Sequence, residues 1–143
     1  MSTRCQIGIY EADSNISTDV DITTNWQVLL YRHSDGYPDG VVSDVLPFLK
    51  EFIKKRGYDI EYMGACLIAY LKHWHCGQKV TDRAYREGHI KVNDFECDPL
   101  CHGISKDFHS DIEYFYAITP SNLIVFECSG ANEFKEIERY SIK

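Results

Sequence analysis

The chain has 143 residues, 44% hydrophobic and 26% charged, a size and balance that fit one globular domain able to bury a core without help from a disulfide or metal. Its 22 acidic residues against 15 basic ones leave a formal charge of −7, which excludes a broad electrostatic footprint for duplex nucleic acid or an anionic membrane. No charged start leading into an apolar stretch opens the chain, and no apolar run reaches the roughly 18 residues of a membrane span. The expectation is therefore a cytoplasmic protein with no membrane partner, whose six cysteines are reduced thiols, core fillers or metal ligands.

In chain order, residues 4–10 (RCQIGIY) alternate, with Cys5, Ile7 and Ile9 on one face, and read as a strand. Residues 11–25 are polar and rich in Asp, Ser and Thr; they read as a long hairpin connection and the mobile loop of the fold. WQVLLYRH, 26–33, is a second strand. The stretch RHSDGYPDG, 32–40, then hands the chain to a helix. Gly36 and Gly40 are expected to supply positive φ, Asp35 an Asx-turn, and Asp39 a favourable charge at the helix N-terminus. Val41, Val42, Val45, Leu46, Leu49, Phe52 and Ile53 have helical spacing. Pro47 belongs in a first turn, so the helix is expected to start near Ser43 or slightly before and to stop at Gly57, with Lys54, Lys55 and Arg56 offsetting its dipole.

Asp59 caps a second helix with the stripe Met63, Leu67, Tyr70, Leu71 and Trp74. Gly64 and Ala65 allow that helix a close approach to its neighbour, and Gly77 is its stop. Residues 77–108 form an irregular segment in which Thr81 could cap a turn and 89–93 a brief strand. HSDIEYFYAI (109–118) reads as a strand, 119–122 as a turn, LIVFEC (123–128) as its antiparallel partner, and 134–142 as a last strand. The order β-β-α-α-(β)-β-β-β predicts a single α+β domain over 1–143: a two-layer sandwich with a mainly antiparallel sheet and both helices on one face.

Chemistry can be sought in two places. In a strand from His109, the side chains of His109, Asp111 and Glu113 share a face, with Ile112, Tyr114, Tyr116 and Ile118 on the core side. Imidazole and carboxylates in a row can bind a divalent metal or supply general acid and base, although a solvated strand face has the same pattern. If the strands ending in His33 and beginning at His109 are neighbours, His33 and Asp35 meet His109 and Asp111 in one cluster. The second place is a zinc site drawn from HWHC (His73, His75, Cys76) and CDPLCH (Cys97, Cys101, His102), with His75, Cys97, Cys101 and His102 as the four ligands; unrelated thiols are the simpler alternative. No P-loop, dinucleotide fingerprint, nucleophile elbow or HExxH is present.

The segments Tyr31-Arg32-His33-Ser34-Asp35-Gly36-Tyr37-Pro38-Asp39-Gly40 and His109-Ser110-Asp111-Ile112-Glu113-Tyr114 together resemble a pattern in small uncharacterised bacterial, archaeal and phage proteins. That pattern is a strand ending in His-x-Asp-Gly-Tyr-Pro-x-Gly followed later by a His-Gly-Asp-Ile/Leu-Glu-Tyr strand, and Ser110 departs from its glycine. The resemblance implies no reaction; it points to His33, Asp35, His109, Asp111 and Glu113. Three readings follow: a His/carboxylate site for a ligand or metal; a metal-dependent hydrolase of a phosphoester or nucleotide; or an interaction module that forms a homodimer through a sheet edge.

Overall fold

The computed structural model describes residues 3–72, 101–130 and 132–143. Among these, six strands form one sheet: β1 (Cys5–Ile9), β2 (Val28–Arg32), β3 (His102–Ile104), β4 (Tyr114–Ile118), β5 (Asn122–Cys128) and β6 (Phe134–Ser141). Three α-helices accompany them, α1 (Asp19–Thr24), α2 (Pro38–Arg56) and α3 (Ile60–Tyr70). The strand order is β3-β2-β1-β4-β5-β6, antiparallel at every step except the central parallel pair β1–β4. The fold is α+β with a mainly antiparallel sheet, as the sequence predicts. None of its described helices is long and apolar enough to cross a membrane.

Alternation along β1 sets the two faces of the sheet. Cys5, Ile7 and Ile9 face α2 and α3, which bury Val41, Val45 and Leu49 from one helix and Met63 and Leu67 from the other. Gly64 lets α3 close on the sheet, since an added Cβ would lie 3.2 Å from both methyl carbons of Val28; Ala65 points to solvent and plays no such part. The opposite face, with Tyr10, Leu29, Phe115, Ala117, Ile124 and Phe126, forms a second apolar cluster beneath Ile22 of α1, Phe108 and Ile112. The expected two-layer sandwich therefore gains a partial third layer.

The segment 11–25 supplies that layer, where the sequence suggested only a loop. It holds a 3₁₀ turn (Asp13–Ile16) and α1, capped by the Thr18 hydroxyl, which accepts from the Asp21 N–H at 3.1 Å. Tyr10 pins it from the sheet by donating its hydroxyl to the Ile22 carbonyl at 2.6 Å.

Helix α2 begins at Pro38, five positions before Ser43, so Pro47 lies in its interior instead of its first turn. Pro38 has the preset φ that suits N1, and the long apolar stripe carries the helix past Pro47, whose ring faces solvent. Gly57 ends the helix with φ of 88°. Trp74, Gly77, Thr81 and residues 89–93, expected as a brief strand, lie outside the described residues. Strand β3 occupies part of the stretch read as irregular. At the far edge, β6 carries charges on both faces and a bulge at Ile137, which leaves Glu136 opposite Phe126 and Glu138 opposite Val125. A bulge and charges on an edge strand oppose pairing with another strand.

Candidate functional site

The row His109, Asp111, Glu113 does not exist as a strand face. Residues 110 and 111 form a turn, and β4 starts only at Tyr114. Ile112 is buried from this loop into the second apolar cluster, on the opposite face from Tyr116 and Ile118, so a period-two pattern continues where no strand does. His109 and Asp111 nevertheless reach His33, through a residue that the motif search passed over.

That residue is Tyr31. The alternation of β2 directs Leu30 and Arg32 to the helix side and Tyr31 to the other, in register with Gln6 of β1. The His109 ring stacks on Tyr31, with centroids 4.3 Å apart and planes 16° from parallel. Just past the end of β2, His33 Nδ1 lies 3.3 Å from the Tyr31 hydroxyl, and the two ring centroids are 6.2 Å apart. Both imidazoles thus converge on one phenol, within the roughly 12 Å that two to three strand spacings allow. In the tautomer with its ring proton on Nε2, His33 accepts from the Tyr31 hydroxyl at Nδ1.

Arg4, one residue before β1, donates from Nη1 to Asp111 Oδ2 at 3.0 Å; both groups are substantially exposed, so the pair orients more than it stabilises. Partial burial pushes the Tyr31 hydroxyl above its ordinary pKa; Asp111 adds to the rise and Arg4 works against it. The phenol is a hydrogen-bond donor at neutral pH. A surface concavity of about 480 Å³ adjoins the group, lined by Lys106, Asp107, Phe108, His109, Ser110 and Asp111. A larger one, about 740 Å³, lies at the other ends of β1 and β2 beside Glu11, Gln27, Arg56 and Glu61, and includes none of these residues.

Asp35 and Glu113 stay outside the cluster. Asp35 is exposed at φ of 56°, with no side-chain bond among the described residues, so the expected Asx-turn is not formed. Glu113 is exposed and contributes through its backbone, donating to the Arg4 carbonyl at 2.9 Å and accepting from the Cys128 N–H at 3.0 Å.

The rest of the 32–40 stretch is architecture. Arg32 is fully buried; its Nε donates to the Ser34 carbonyl at 3.0 Å and its Nη1 to Asp44 of α2 at 3.1 Å, tying strand, turn and helix together. Gly36 donates to the Thr3 carbonyl at 3.0 Å and accepts from the Tyr116 hydroxyl at 2.6 Å. Neither Gly36 nor Gly40 has positive φ, contrary to expectation. Gly36 is needed for close approach: a Cβ there would stand 2.9 Å from both Cys5 Cβ and the Thr3 carbonyl oxygen.

No protein-family model, no curated protein and no solved structure matches this chain. The site is therefore read from its own geometry. Of the four zinc ligands proposed, His75 and Cys97 lie outside the described residues, as do His73 and Cys76. Cys101, at φ of 70°, starts the turn into β3, and the neighbouring His102 is buried on the helix side, opposite Arg32. Among the described residues, no three His, Cys, Asp or Glu are placed to hold a metal ion. Burial pushes the Cys5 thiol up to about 12, with Arg32 opposing the rise, and raises Cys128 to about 12 as well, which disfavours the thiolate that a reactive or metal-ligating cysteine needs.

Three members of the site escaped the motif reading: Tyr31, Arg4 and Gln6. Register was the available signal. Two neighbouring strands that each put a polar or aromatic side chain opposite a fully apolar face mark a place where the sheet meets something other than core.

Proposed function

We propose that this protein binds a small polar ligand, anionic in character, at the Tyr31 face of its sheet. The observation that carries the reading is the convergence of His109, by stacking, and His33, by its Nδ1, on the single ring of Tyr31. Around that ring stand the donors an anion needs: two imidazoles and Arg4, which spends one N–H on Asp111 and has others to offer. Asp111 orients Arg4, and Lys106 flanks the adjoining concavity. A phosphate monoester or a carboxylate has the matching chemistry. The hydrolase reading requires a metal held by Asp111 and Glu113, and among the described residues no three His, Cys, Asp or Glu are grouped to hold one, so the ligand reading is preferred. Dimerisation through the β6 edge is opposed by the bulge and charges of that strand.

The test is an NMR titration of the imidazole ¹H–¹³C signals with inorganic phosphate, adenosine monophosphate and, separately, zinc. Saturable shifts of His33 and His109 with the phosphate compounds, abolished by Tyr31→Ala and kept in Glu113→Ala, are the expected result. Absence of any saturable shift up to roughly 10 mM would remove the reading, and saturation by zinc alone would return the site to metal binding.

A further inference from the structure

The residue opposite Tyr31 in the β1–β2 ladder is Gln6, a fully buried amide on a strand whose other described members are almost all apolar. A buried polar side chain persists where its hydrogen bonds are filled, and those of Gln6 are filled by one loop. Its Nε2 donates to Ser105 Oγ at 2.8 Å and to the Asp107 carbonyl at 3.1 Å; its Oε1 accepts from the backbone N–H of His109 at 2.9 Å. Both amide protons and the carbonyl oxygen are thereby spent on residues 105–109. The last of these bonds grips the peptide of the residue whose ring lies flat on Tyr31.

We infer that Gln6 is a positioning residue that holds His109 in its stack against Tyr31; the proposal rests on the reading of Tyr31 as the centre of the site. The loop has apolar anchors of its own. Phe108 packs against Phe115 with centroids 4.9 Å apart, and Ile112 is buried in the same cluster. These anchors keep the loop on the sheet without the amide. They fix neither the height nor the rotation of residue 109, whose side chain is exposed. What the amide adds is aim: it fixes the peptide of His109 from the floor of the sheet, while Phe108 and Ile112 fix only where the loop passes.

The discriminating experiment compares Gln6→Leu, which removes every bond, with Gln6→Glu, which keeps an acceptor for the His109 N–H, reading the Cε1 proton of His109 in each. In the unaltered protein that proton is expected upfield, displaced by the ring current of the stacked Tyr31, with Tyr31→Leu as the undisplaced reference. Gln6→Leu is expected to return it to the position seen in Tyr31→Leu, with a dispersed spectrum otherwise, and Gln6→Glu to retain most of the displacement. A folded Gln6→Leu protein with the His109 signal unmoved overturns the inference, as does equal behaviour of the two variants. Should Gln6→Leu not fold, amide exchange in the unaltered protein decides: the His109 N–H is expected to exchange roughly tenfold or more slowly than those of Ser110 and Asp111, and equal rates overturn it. None of these readouts needs a ligand. A failed phosphate titration beside a relaxed His109 would therefore sink the ligand reading alone.

Discussion

At the scale of single residues, the 32–40 stretch separates into a part that serves the fold and a part that serves the site. Gly36 belongs to the first. Its backbone is held on both sides, by Thr3 and by the Tyr116 hydroxyl, and its α-carbon faces the backbone of the strand-leading residues 3–5 with no room for a methyl group. Because one obstructing atom is backbone, it cannot swing away. Gly36→Ala is expected to destabilise the protein by about 1–3 kcal/mol, the usual cost of overpacking. Urea unfolding checks this: the midpoint should fall with the slope unchanged. A change below about 0.5 kcal/mol would mean that residues 3–5 yield freely. His33 belongs to the second part, since its imidazole is exposed and its side-chain hydrogen bond and ring contact among the described residues are both with Tyr31. The two parts meet at Arg32, whose buried guanidinium fixes the carbonyl of Ser34 and so the path of the chain leaving His33.

At the scale of elements, the legible features were those where one periodicity ruled. β1, β2, β5 and β6 were read to within a residue or two, as were the end of α2 and the start of α3, because alternation, helical spacing, Gly57 and Asp59 all agree there. Two signals misled. The alternation of 109–118 runs on past the strand because Ile112 is buried from a loop, and nothing in a local pattern distinguishes a buried loop residue from an inward strand residue. Pro47 suggested a late helix start because a proline is normally excluded from a helix interior, yet the apolar contacts of Val41, Val45 and Leu49 outweigh that cost. Half of the candidate site was legible, His33, His109 and Asp111; Tyr31, Arg4 and Gln6 were not, since only strand register reveals that they share a face. The Pro47 conflict can be measured. Pro47→Ala restores an N–H toward the Ser43 carbonyl and relieves ring crowding, while giving the unfolded chain more freedom. The net expectation is a gain of about 1–2 kcal/mol, read as a raised melting temperature. A loss of stability would show that α2 is bent to fit the sheet and needs its proline.

At the scale of the whole molecule, the second face of the sheet joins fold and function. One side of β1 and β2 is ordinary core; the other passes from core, at Tyr10, Leu29 and Phe115, to the exposed cluster around Tyr31 within the length of a strand. The same burial that builds this core sets how the protein responds to alkali. Cys5 and Cys128 are held protonated up to about 12, mainly by burial, and burial also raises the hydroxyls of Tyr10, Tyr58 and Tyr116, which donate to backbone carbonyls. In every case the folded state keeps its proton at a pH where the unfolded chain gives it up. Groups with raised folded-state pKa values contribute stability that is complete below their unfolded values, about 8.5 for cysteine and 10 for tyrosine. That stability drains away as pH climbs from there toward 12. Urea midpoints are therefore expected to be steady between about pH 7 and 8 and to fall progressively above about pH 9. Replacing Cys5 by alanine should lower stability near pH 7 through the lost packing, yet make the alkaline decline shallower, because one of the proton-retaining groups is gone. An unchanged decline in that variant would assign the alkaline response to the tyrosines alone; no decline up to about pH 11 would mean that the buried phenols and thiols ionise in place, and that the core around Tyr10 and Tyr116 admits water.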